Sequence, residues 1–280
     1  MRAREAGLPG PGIDDSIPAA FPILMKPCLL LVSLLFAFAF PAAGEWVAVS
    51  SDSEAASVPG LIHRHIELKN AATDEFAALD LALFPASAKK SLRVIDNPSG
   101  SLSLAEALRD RGCVAGVNGG YFDPGFAPIG LRVMDDKIVR PMVRARLMTG
   151  VLFSAGGSLE IARVGEYARR RNVTAAVQCG PLLVEGGKPV KGLDETRSAR
   201  RTFALVGADR GALGFCPGAS LGGLAALLTS PSLARDLKIQ RALNLDGGSS
   251  SAFWFKRADG SAFSISEQKN VRDFVGIAAR

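Results

Sequence analysis

The sequence predicts an α+β protein: a single domain with mixed or antiparallel sheets and a few packed helices. Short segments with an alternating or continuously apolar pattern recur through most of the chain, separated by Gly, Asp and Pro. Few segments carry helix signals, and no internal repeat or long linker is visible. The 280 residues, 48% of them hydrophobic, are enough to build one large core.

Residues 1–44 are expected to lie outside this domain. Residues 1–24 are rich in Gly, Pro and Ala, which is typical of a disordered extension or of sequence upstream of a true start at Met25. A lysine, an apolar run over 28–40 and small residues then form a signal-peptide pattern. The apolar run is shorter than the roughly 20 residues that span a bilayer. We therefore expect a mature domain over 45–280, periplasmic or secreted, without a membrane span; an uncleaved anchor is the alternative.

Strands dominate the first half of the mature chain. The segment 61–68 alternates between two faces, the period of a half-buried strand. A helix over 101–111 is predicted because Ser103 and Glu106 form a capping box and Gly112 follows. Further strands are expected at 76–84, 91–95, 113–117, 130–133, 137–139, 151–154, 158–163, 173–178 and 182–184.

The second half adds a hairpin and the remaining helices. Strands at 202–207 and 212–216 flank Asp209-Arg210-Gly211, a turn signal. Ser220 is predicted to cap a helix over 221–229. A helical segment is expected at 231–238, and a final strand at 274–278.

Asp246 is the first candidate site residue, because it stands where an apolar strand ends and a tight turn begins. Gly247 and Gly248 let the backbone bend and approach a ligand closely. The serines that follow, Ser250 among them, offer hydroxyl and N–H groups to an anionic or sugar ligand. A solvated turn capped by an aspartate is the alternative interpretation.

A second strand end has the same character and favours a binding site. Asn118-Gly119-Gly120 follows the segment 113–117. The glycines would let backbone N–H groups face an oxyanion, and the Asn118 amide can donate or accept. A simple glycine turn is the alternative.

Arginine and a further glycine complete the candidate set. Arg201 immediately precedes an apolar strand that would hold it rigidly, and arginine grips phosphate through two parallel hydrogen bonds. Arg200 is its rival. Gly180, in Gln178-Cys179-Gly180-Pro181, would bring the backbone near a ligand, although a structural bend explains it equally well.

Several other residues are weaker candidates for the site. Asp123 is a candidate second carboxylate, although Asp123-Pro124-Gly125 also predicts a turn, and Glu185 is a weaker candidate. His63 and His65 share one strand face but lack a partner with ligand spacing, so we predict no metal site. A serine nucleophile among Ser249–Ser251 lacks the Gly-x-Ser-x-Gly elbow.

Composition narrows the class of ligand. The net charge of +6 is spread along the chain, and no aromatic residues alternate with basic ones, which argues against nucleic-acid binding. Cys113, Cys179 and Cys216 remain after signal cleavage. This odd number predicts one disulfide and one free thiol, with Cys179 and Cys216 as the expected pair; three buried thiols are the alternative.

Five stretches in this order resemble the phosphodiester glycosidase family, and together they cover about residues 113–256. They are Val117-Asn118-Gly119-Gly120-Tyr121-Phe122, Pro128-Ile129-Gly130-Leu131, Gln178-x-Gly180-Pro181-Leu182-Leu183, Arg201-Thr202-x-x-x-x-Gly207 and Asn244-Leu245-Asp246-Gly247-Gly248-x-Ser250-Ser251. Ser249 stands where the family usually has a third glycine, which would narrow the site.

The resemblance implies a hydrolase that cleaves a sugar-1-phosphodiester at the glycosidic carbon, without a cofactor. Asp246 would act at the sugar carbon, and Asn118 would orient the sugar or a water. Arg201 would neutralise the phosphate, assisted by Ser250 and by N–H groups near Gly119 and Gly120. The alternatives are an envelope protein that binds a phosphorylated glycan without turnover, and a serine hydrolase.

Overall fold

A computed structural model of the chain describes residues 45–86, 91–168 and 170–278. The predicted extension and signal peptide lie outside these residues, so the domain boundary at residue 45 stays a prediction. The described residues all belong to one compact unit. None of their helices is both long enough and apolar enough to cross a bilayer.

The described chain forms eighteen strands and four α-helices. The strands are β1 (Trp46–Ala55), β2 (Ile62–Asn70), β3 (Phe76–Pro85), β4 (Ser91–Asp96), β5 (Cys113–Asn118), β6 (Arg132–Met134), β7 (Lys137–Arg140), β8 (Gly150–Ala155), β9 (Ser158–Arg163), β10 (Val173–Cys179), β11 (Leu182–Glu185), β12 (Lys188–Pro189), β13 (Ala199–Gly207), β14 (Arg210–Ala219), β15 (Ile239–Asn244), β16 (Phe253–Lys256), β17 (Ala262–Ile265) and β18 (Asp273–Ala278). The helices are α1 (Leu104–Asp110), α2 (Val164–Tyr167), α3 (Leu221–Leu228) and α4 (Pro231–Leu237).

These strands form three sheets. The largest runs β1-β2-β3-β14-β13-β15-β11-β12, and two five-stranded sheets run β7-β6-β10-β8-β9 and β17-β16-β5-β18-β4. Every strand pair in the described chain is antiparallel. The prediction of mixed sheets is therefore too broad, and the α+β protein is mostly sheet. Seven of the fifteen pairs join consecutive strands, and these must be antiparallel because a parallel pair needs a long crossover.

The sequence signals for the first helix and for one hairpin are confirmed by the structure. The Ser103 hydroxyl accepts a bond from the Glu106 N–H, and the Glu106 carboxylate accepts the Ser103 N–H at 2.8 Å, so the predicted capping box is present. Gly112, just past the end of α1, has φ +63°, a conformation that favours glycine. The predicted hairpin is β13 with β14.

Five elements were missed by the sequence analysis: β1, α2, β12, β16 and β17. β1 pairs only with β2 and is the edge of the large sheet, so most of its side chains stay exposed. Because an edge strand buries few side chains, its sequence need not alternate between apolar and polar residues. The pattern that identifies a strand in the sequence is therefore missing. α2 is a single turn, too short for a helical period.

One apolar core is shared by all three sheets. It includes Leu243 from the large sheet, Val177 from the second sheet and Val275 from the third, and all three are fully buried. A second core packs α3 and α4 against the large sheet through residues such as Leu224 and Leu237. Strand ends from different sheets can therefore meet at the edge of the shared core.

The predicted disulfide is wrong. Cys113, Cys179 and Cys216 are all free and buried. Burial raises the pKa of Cys113 and Cys216 to about 11 and that of Cys179 to about 12. The glycine and proline neighbours of Cys179 and Cys216 carry no information on whether the sulfur atoms approach each other.

Candidate active site

Three strand ends that are far apart in the sequence meet beside the shared core. The Leu245 N–H, just beyond β15, donates to the Thr202 carbonyl of β13 at 2.8 Å. The next N–H, that of Asp246, donates to the Gly119 carbonyl just beyond β5 at 3.1 Å. The second of these bonds joins the large sheet to the sheet that contains β5. The residues predicted to be catalytic lie on or beside these strand ends: Asn118, Arg201 and Asp246.

Asn118 holds this junction together. Its side chain is fully buried, and its Nδ2 donates to the Asp246 carbonyl at 2.8 Å. Its Oδ1 accepts from the Thr202 hydroxyl at 2.6 Å and from the Ala252 N–H at 3.0 Å. The Asn118 oxygen and one of its two Nδ2 hydrogens are therefore bonded to protein groups, and the amide holds the Asp246 backbone in place. That Asn118 orients the sugar or a water stays a prediction.

Gly119 and Gly120 have a different role from the one we expected. Their N–H groups donate to Asp273, to its carbonyl at 2.8 Å and to its Oδ1 at 2.9 Å. These groups are therefore occupied and do not form a phosphate cradle. A Cβ on Gly119 would lie 1.8 Å from the Asp273 carboxylate, and one on Gly120 would lie 2.3 Å from Arg132 Nη2. The glycines permit a close approach to a buried ion pair.

Arg201 is buried and forms no ion pair with the described acidic residues, although the charge of Asp194 acts on it. It is 9% exposed, its Nε donates to the Ala219 carbonyl at 2.8 Å and its Nη2 to the Arg197 carbonyl at 2.7 Å. Within residues 45–86, 91–168 and 170–278 it forms no ion pair, and its Nη1 donates no hydrogen bond. Burial lowers its pKa, although the group stays charged at neutral pH. Nη1 lies 3.7 Å from the Cβ position of Gly247, so it faces the turn after Asp246.

Arg200, the rival, supports the loop instead. Its Nη2 donates to the Ser251 and Ser266 carbonyls, and its guanidinium stacks over the Phe215 ring at 5.2 Å. These contacts place Arg200 behind the Asp246 turn. Arg200 Nε is buried and has no hydrogen-bond partner in the described chain, but of the two arginines it is Arg201 whose Nη1 faces the turn after Asp246.

Asp246 is a carboxylate in a partly buried position. Its Oδ1 accepts the N–H of Gly247 at 3.0 Å. Burial raises the pKa of Asp246 above its ordinary value, and the negative charge of Asp273 adds to the rise. The Ser250 hydroxyl, the Lys269 charge and the Gly247 N–H pull this pKa back down. The carboxyl group therefore has a raised proton affinity, which suits a base or nucleophile.

The turn beyond Asp246 leaves open space on one side. Gly248 has φ +64°, and no atom lies within 4 Å of its Cβ position. Ser250 is fully buried, and its Oγ lacks a hydrogen bond of normal geometry within the described chain, although it lies close enough to affect Asp246. An unpartnered buried hydroxyl beside a carboxylate can donate to a bound ligand.

Tyr121 is a site residue that the sequence analysis named only within a motif. Its hydroxyl donates to the Gly180 carbonyl at 2.6 Å and accepts from Asn244 Nδ2 at 3.1 Å. Burial raises its pKa strongly, and the charges of Asp246 and Arg201 both act on it. Tyr121 is thus a protonated phenol on which the charges of both groups act. An aromatic residue directly after Asn118-Gly119-Gly120 was the available signal.

Gly180 supports Tyr121 through its carbonyl. Asn244 Nδ2 also donates to that carbonyl, at 3.0 Å. A Cβ on Gly180 would lie 2.1 Å from the Leu147 carbonyl, so only glycine fits between the two segments. Its carbonyl faces Tyr121 and Asn244.

A buried ion pair lies behind the site and was missed entirely. Arg132 Nε donates to Asp273 Oδ2 at 2.7 Å, and both side chains are fully buried. The remaining donors of Arg132 reach four backbone carbonyls: those of Tyr121, Ile129, Leu131 and Gln178. The pair has its hydrogen bonds satisfied inside the protein. It fixes the Gly119-Gly120 backbone and the Tyr121 backbone together.

The weaker candidates lie elsewhere. Asp123 Oδ1 accepts the Ala127 N–H in a turn, and Glu185 pairs with Arg163 on the surface. His63 and His65 both bond to Asp80 Oδ1 at 2.9 Å, and no metal-binding cluster occurs among the described residues. Neither histidine contacts the Ser249–Ser251 segment in the described chain, so the serines lack a histidine base.

Comparison with known proteins identifies the family of the chain and solved structures that share its fold. The chain matches the family model for phosphodiester glycosidases over residues 111–278. No curated protein matches it. Among solved structures it is similar to the zebrafish N-acetylglucosamine-1-phosphodiester alpha-N-acetylglucosaminidase catalytic domain auto-inhibited by its pro-peptide. That match has 16% identity and a TM-score of 0.60, and covers 84% of this chain and 89% of that chain.

Two further solved structures share the fold. One is a hypothetical protein from Synechocystis, with 16% identity, a TM-score of 0.55, and coverage of 79% of this chain and 62% of that chain. The other is a protein from Burkholderia pseudomallei K96243 that is inferred to be exported, with 14% identity, a TM-score of 0.50, and coverage of 75% of each chain. At these identities the likeness shows the fold alone.

Proposed function

The chain belongs to the phosphodiester glycosidase family, and on this premise we propose that it hydrolyses a sugar-1-phosphodiester of the N-acetylglucosamine-1-phosphodiester type. As a family member it is a hydrolase of phosphodiester-linked sugars. The products would be the free sugar and a phosphomonoester. We place the reaction in the bacterial periplasm or outside the cell, on the signal-peptide pattern and on the fold shared with a protein inferred to be exported.

One observation carries the proposal: the Arg201 guanidinium is buried, lacks an acidic partner in the described chain and has a free Nη1 beside the Asp246 turn. A buried charge without a partner is unfavourable unless a ligand supplies the opposite charge. A phosphodiester is such a ligand, and arginine binds its oxygens well. The phosphate would lie between Arg201 and the Ser250 hydroxyl.

Asp246 would then act at the sugar carbon. In one route its carboxylate removes a proton from water while the water oxygen attacks the anomeric carbon. In the other it attacks that carbon itself, and water later hydrolyses the ester. In both, the bond from the anomeric carbon to the phosphate oxygen breaks, and its electron pair leaves with the phosphomonoester.

A second carboxylate is not required by this chemistry. Ordinary glycosidases use a carboxylic acid to protonate the leaving oxygen, whereas a phosphate is already a good leaving group. Asp273 is the acidic side chain whose charge acts on Asp246, and it is committed to Arg132. We therefore assign the reaction to a single carboxylate assisted by Arg201.

The test is turnover by the purified chain with UDP-N-acetylglucosamine and aryl sugar-phosphodiesters, with free sugar and phosphomonoester measured separately. Asp246→Asn is expected to lower kcat by at least about 10³-fold while the free energy of unfolding changes by no more than about 1 kcal/mol. Asp123→Asn is the matched control, since that carboxylate only caps a turn.

The outcomes separate the alternatives. Near-normal turnover by Asp246→Asn would remove its central role. Binding of a sugar phosphodiester to the unmodified chain in calorimetry, without product after hours, would instead favour the non-catalytic glycan-binding protein. NMR of the first product anomer distinguishes the two routes, because direct attack by water inverts the anomeric configuration and a covalent intermediate retains it.

A further inference from the structure

A basic and apolar surface lies beside the site. It consists of residues 137–149, the edge strand β7 and the segment that follows it, which we call the basic rim. Lys137, Arg140, Arg144 and Arg146 are all exposed. Within the described residues none of these four forms an ion pair or a side-chain hydrogen bond. The rim contains no acidic residue, so its positive charge is uncompensated locally.

The acidic residues nearest in sequence to the rim directly precede it. Asp135 and Asp136 form the turn between β6 and β7, and Asp135 lies 3.8 Å from Arg93. They leave the arginines of the rim unpaired.

Exposed aliphatic side chains stand among these cations. Ile138 is 70% exposed, Val139 50% and Leu147 56%, and the neighbouring Ile129 is 36% exposed. These four are a majority of the seven large apolar residues that are exposed in the described chain. A soluble surface rarely gathers them in one place without a partner.

A cavity opens next to the rim. Its volume is about 610 Å³, and its walls are mostly apolar, with Met142, Val143, Met148 and Val164 among them. Arg144 and Arg146 also line it. Apolar walls with cations beside them suit a molecule with an acyl chain and an anionic head.

The rim is fixed in place next to the site. Gln178 Nε2 donates to the Val143 carbonyl at 2.7 Å and to the Met148 carbonyl at 3.2 Å. The Leu147 carbonyl packs against Gly180, whose own carbonyl holds the Tyr121 hydroxyl. A ligand or membrane that contacts the rim would therefore lie close to the phosphate position proposed above.

We propose that the basic rim binds the surface of an anionic lipid bilayer, so that the enzyme acts on sugar phosphodiesters presented at a membrane. Cations attract the lipid phosphates, and the aliphatic side chains enter the interface between headgroups and acyl chains. A soluble polyanion would pair with the arginines but leave the aliphatic side chains in water. Membrane contact rests on this surface alone, whereas its use in catalysis rests on the proposed function.

The experiment uses an environment-sensitive fluorophore on the full chain, with Cys28→Ser as background. The label is attached at Ile138→Cys, and in a separate protein at Phe76→Cys, which is equally exposed at 69% but lies on β3. The other three cysteines are buried and have raised pKa values, so they label slowly. Vesicles of phosphatidylcholine alone and with phosphatidylglycerol are compared, and no activity measurement is needed.

We expect a blue shift at position 138 with the anionic vesicles only, and none at position 76. Arg144→Ala with Arg146→Ala should weaken partitioning roughly 30-fold, whereas Arg109→Ala with Arg111→Ala, which removes the same charge from α1, should not. Equal shifts at both positions, as an N-terminal anchor would give, would overturn the proposal, and so would no shift at position 138. If a soluble polyphosphate slows amide hydrogen exchange around Arg144 and Arg146 while vesicles do not, the rim binds a soluble polyanion and the membrane proposal is overturned.

Discussion

Two buried arginines lie on either side of the same strand ends, and they are bound very differently. Arg132 is fully buried, pairs with Asp273 and gives its other donors to backbone carbonyls. Arg201 is 9% exposed, binds two carbonyls and has neither a carboxylate nor a partner for Nη1 in the described chain. Satisfied bonds mark Arg132 as a residue that holds the fold, whereas under the proposed function the free Nη1 of Arg201 binds the substrate phosphate.

Mutation of Arg132 is expected to give the largest effect, and it acts on the fold. Arg132→Met would leave the Asp273 carboxylate buried and uncompensated, so the free energy of unfolding should fall by about 3–5 kcal/mol. Urea denaturation followed by circular dichroism measures this. The double variant Arg132→Met with Asp273→Leu should lose less than the sum of the single variants. Strict additivity would contradict the coupling.

Mutation of Arg201 should affect activity instead. Arg201→Ala is expected to lower kcat/KM by about 10²–10³-fold, because charge neutralisation on the phosphate is lost. Its free energy of unfolding should change by no more than about 2 kcal/mol, the value of two hydrogen bonds. Arg201→Lys should recover only part of kcat/KM, since a lysine cannot donate two parallel hydrogen bonds to the phosphate.

Product inhibition sharpens this second prediction. The phosphomonoester should inhibit the unmodified enzyme and lose that inhibition in Arg201→Ala. An Arg201→Ala protein that unfolds as readily as Arg132→Met, or one that keeps normal kinetics, would remove the contrast between the two arginines.

The smallest expected effect concerns pH. If charged Asp246 is the active form, activity falls as pH drops through its pKa, which burial has raised. Lys269 lowers that pKa, so Lys269→Met should raise it and move the acid limb of kcat/KM to higher pH. Because Lys269 is exposed, we expect only a few tenths of a pH unit, decreasing with salt. Lys256→Met, also exposed, is the control, and an opposite shift would contradict the assignment.

The sequence predicted those parts of the site that local chemistry determines. Asp246 and Arg201 each stand beside a strand with a recognisable pattern, and the structure places both at one junction. Asn118 lies at the same junction, but its hydrogen bonds could not be predicted, because its partners Thr202 and Ala252 lie 84 and 134 residues away. No local pattern shows that an amide is already occupied.

The parts that were missed depend on tertiary contacts. Arg132 and Asp273 are 141 residues apart and lie in different sheets. Each stands in an ordinary strand, so neither carries a signal until the topology brings them together. The same reason explains the wrong disulfide, since neighbouring glycines and prolines say nothing about the distance between two sulfur atoms. The fold was easier, because hairpins and capping boxes are local.

The three free thiols have one consequence for how the protein could be studied. Cys216 lies in the eight-stranded sheet, Cys179 in the sheet that contains β10, and Cys113 in the sheet that contains β5. Each sheet therefore carries a single built-in reporter that reacts only when its surroundings open. Rates of trapping by a thiol reagent in dilute urea, resolved by peptide mass, would rank the sheets by local stability and show which one separates first.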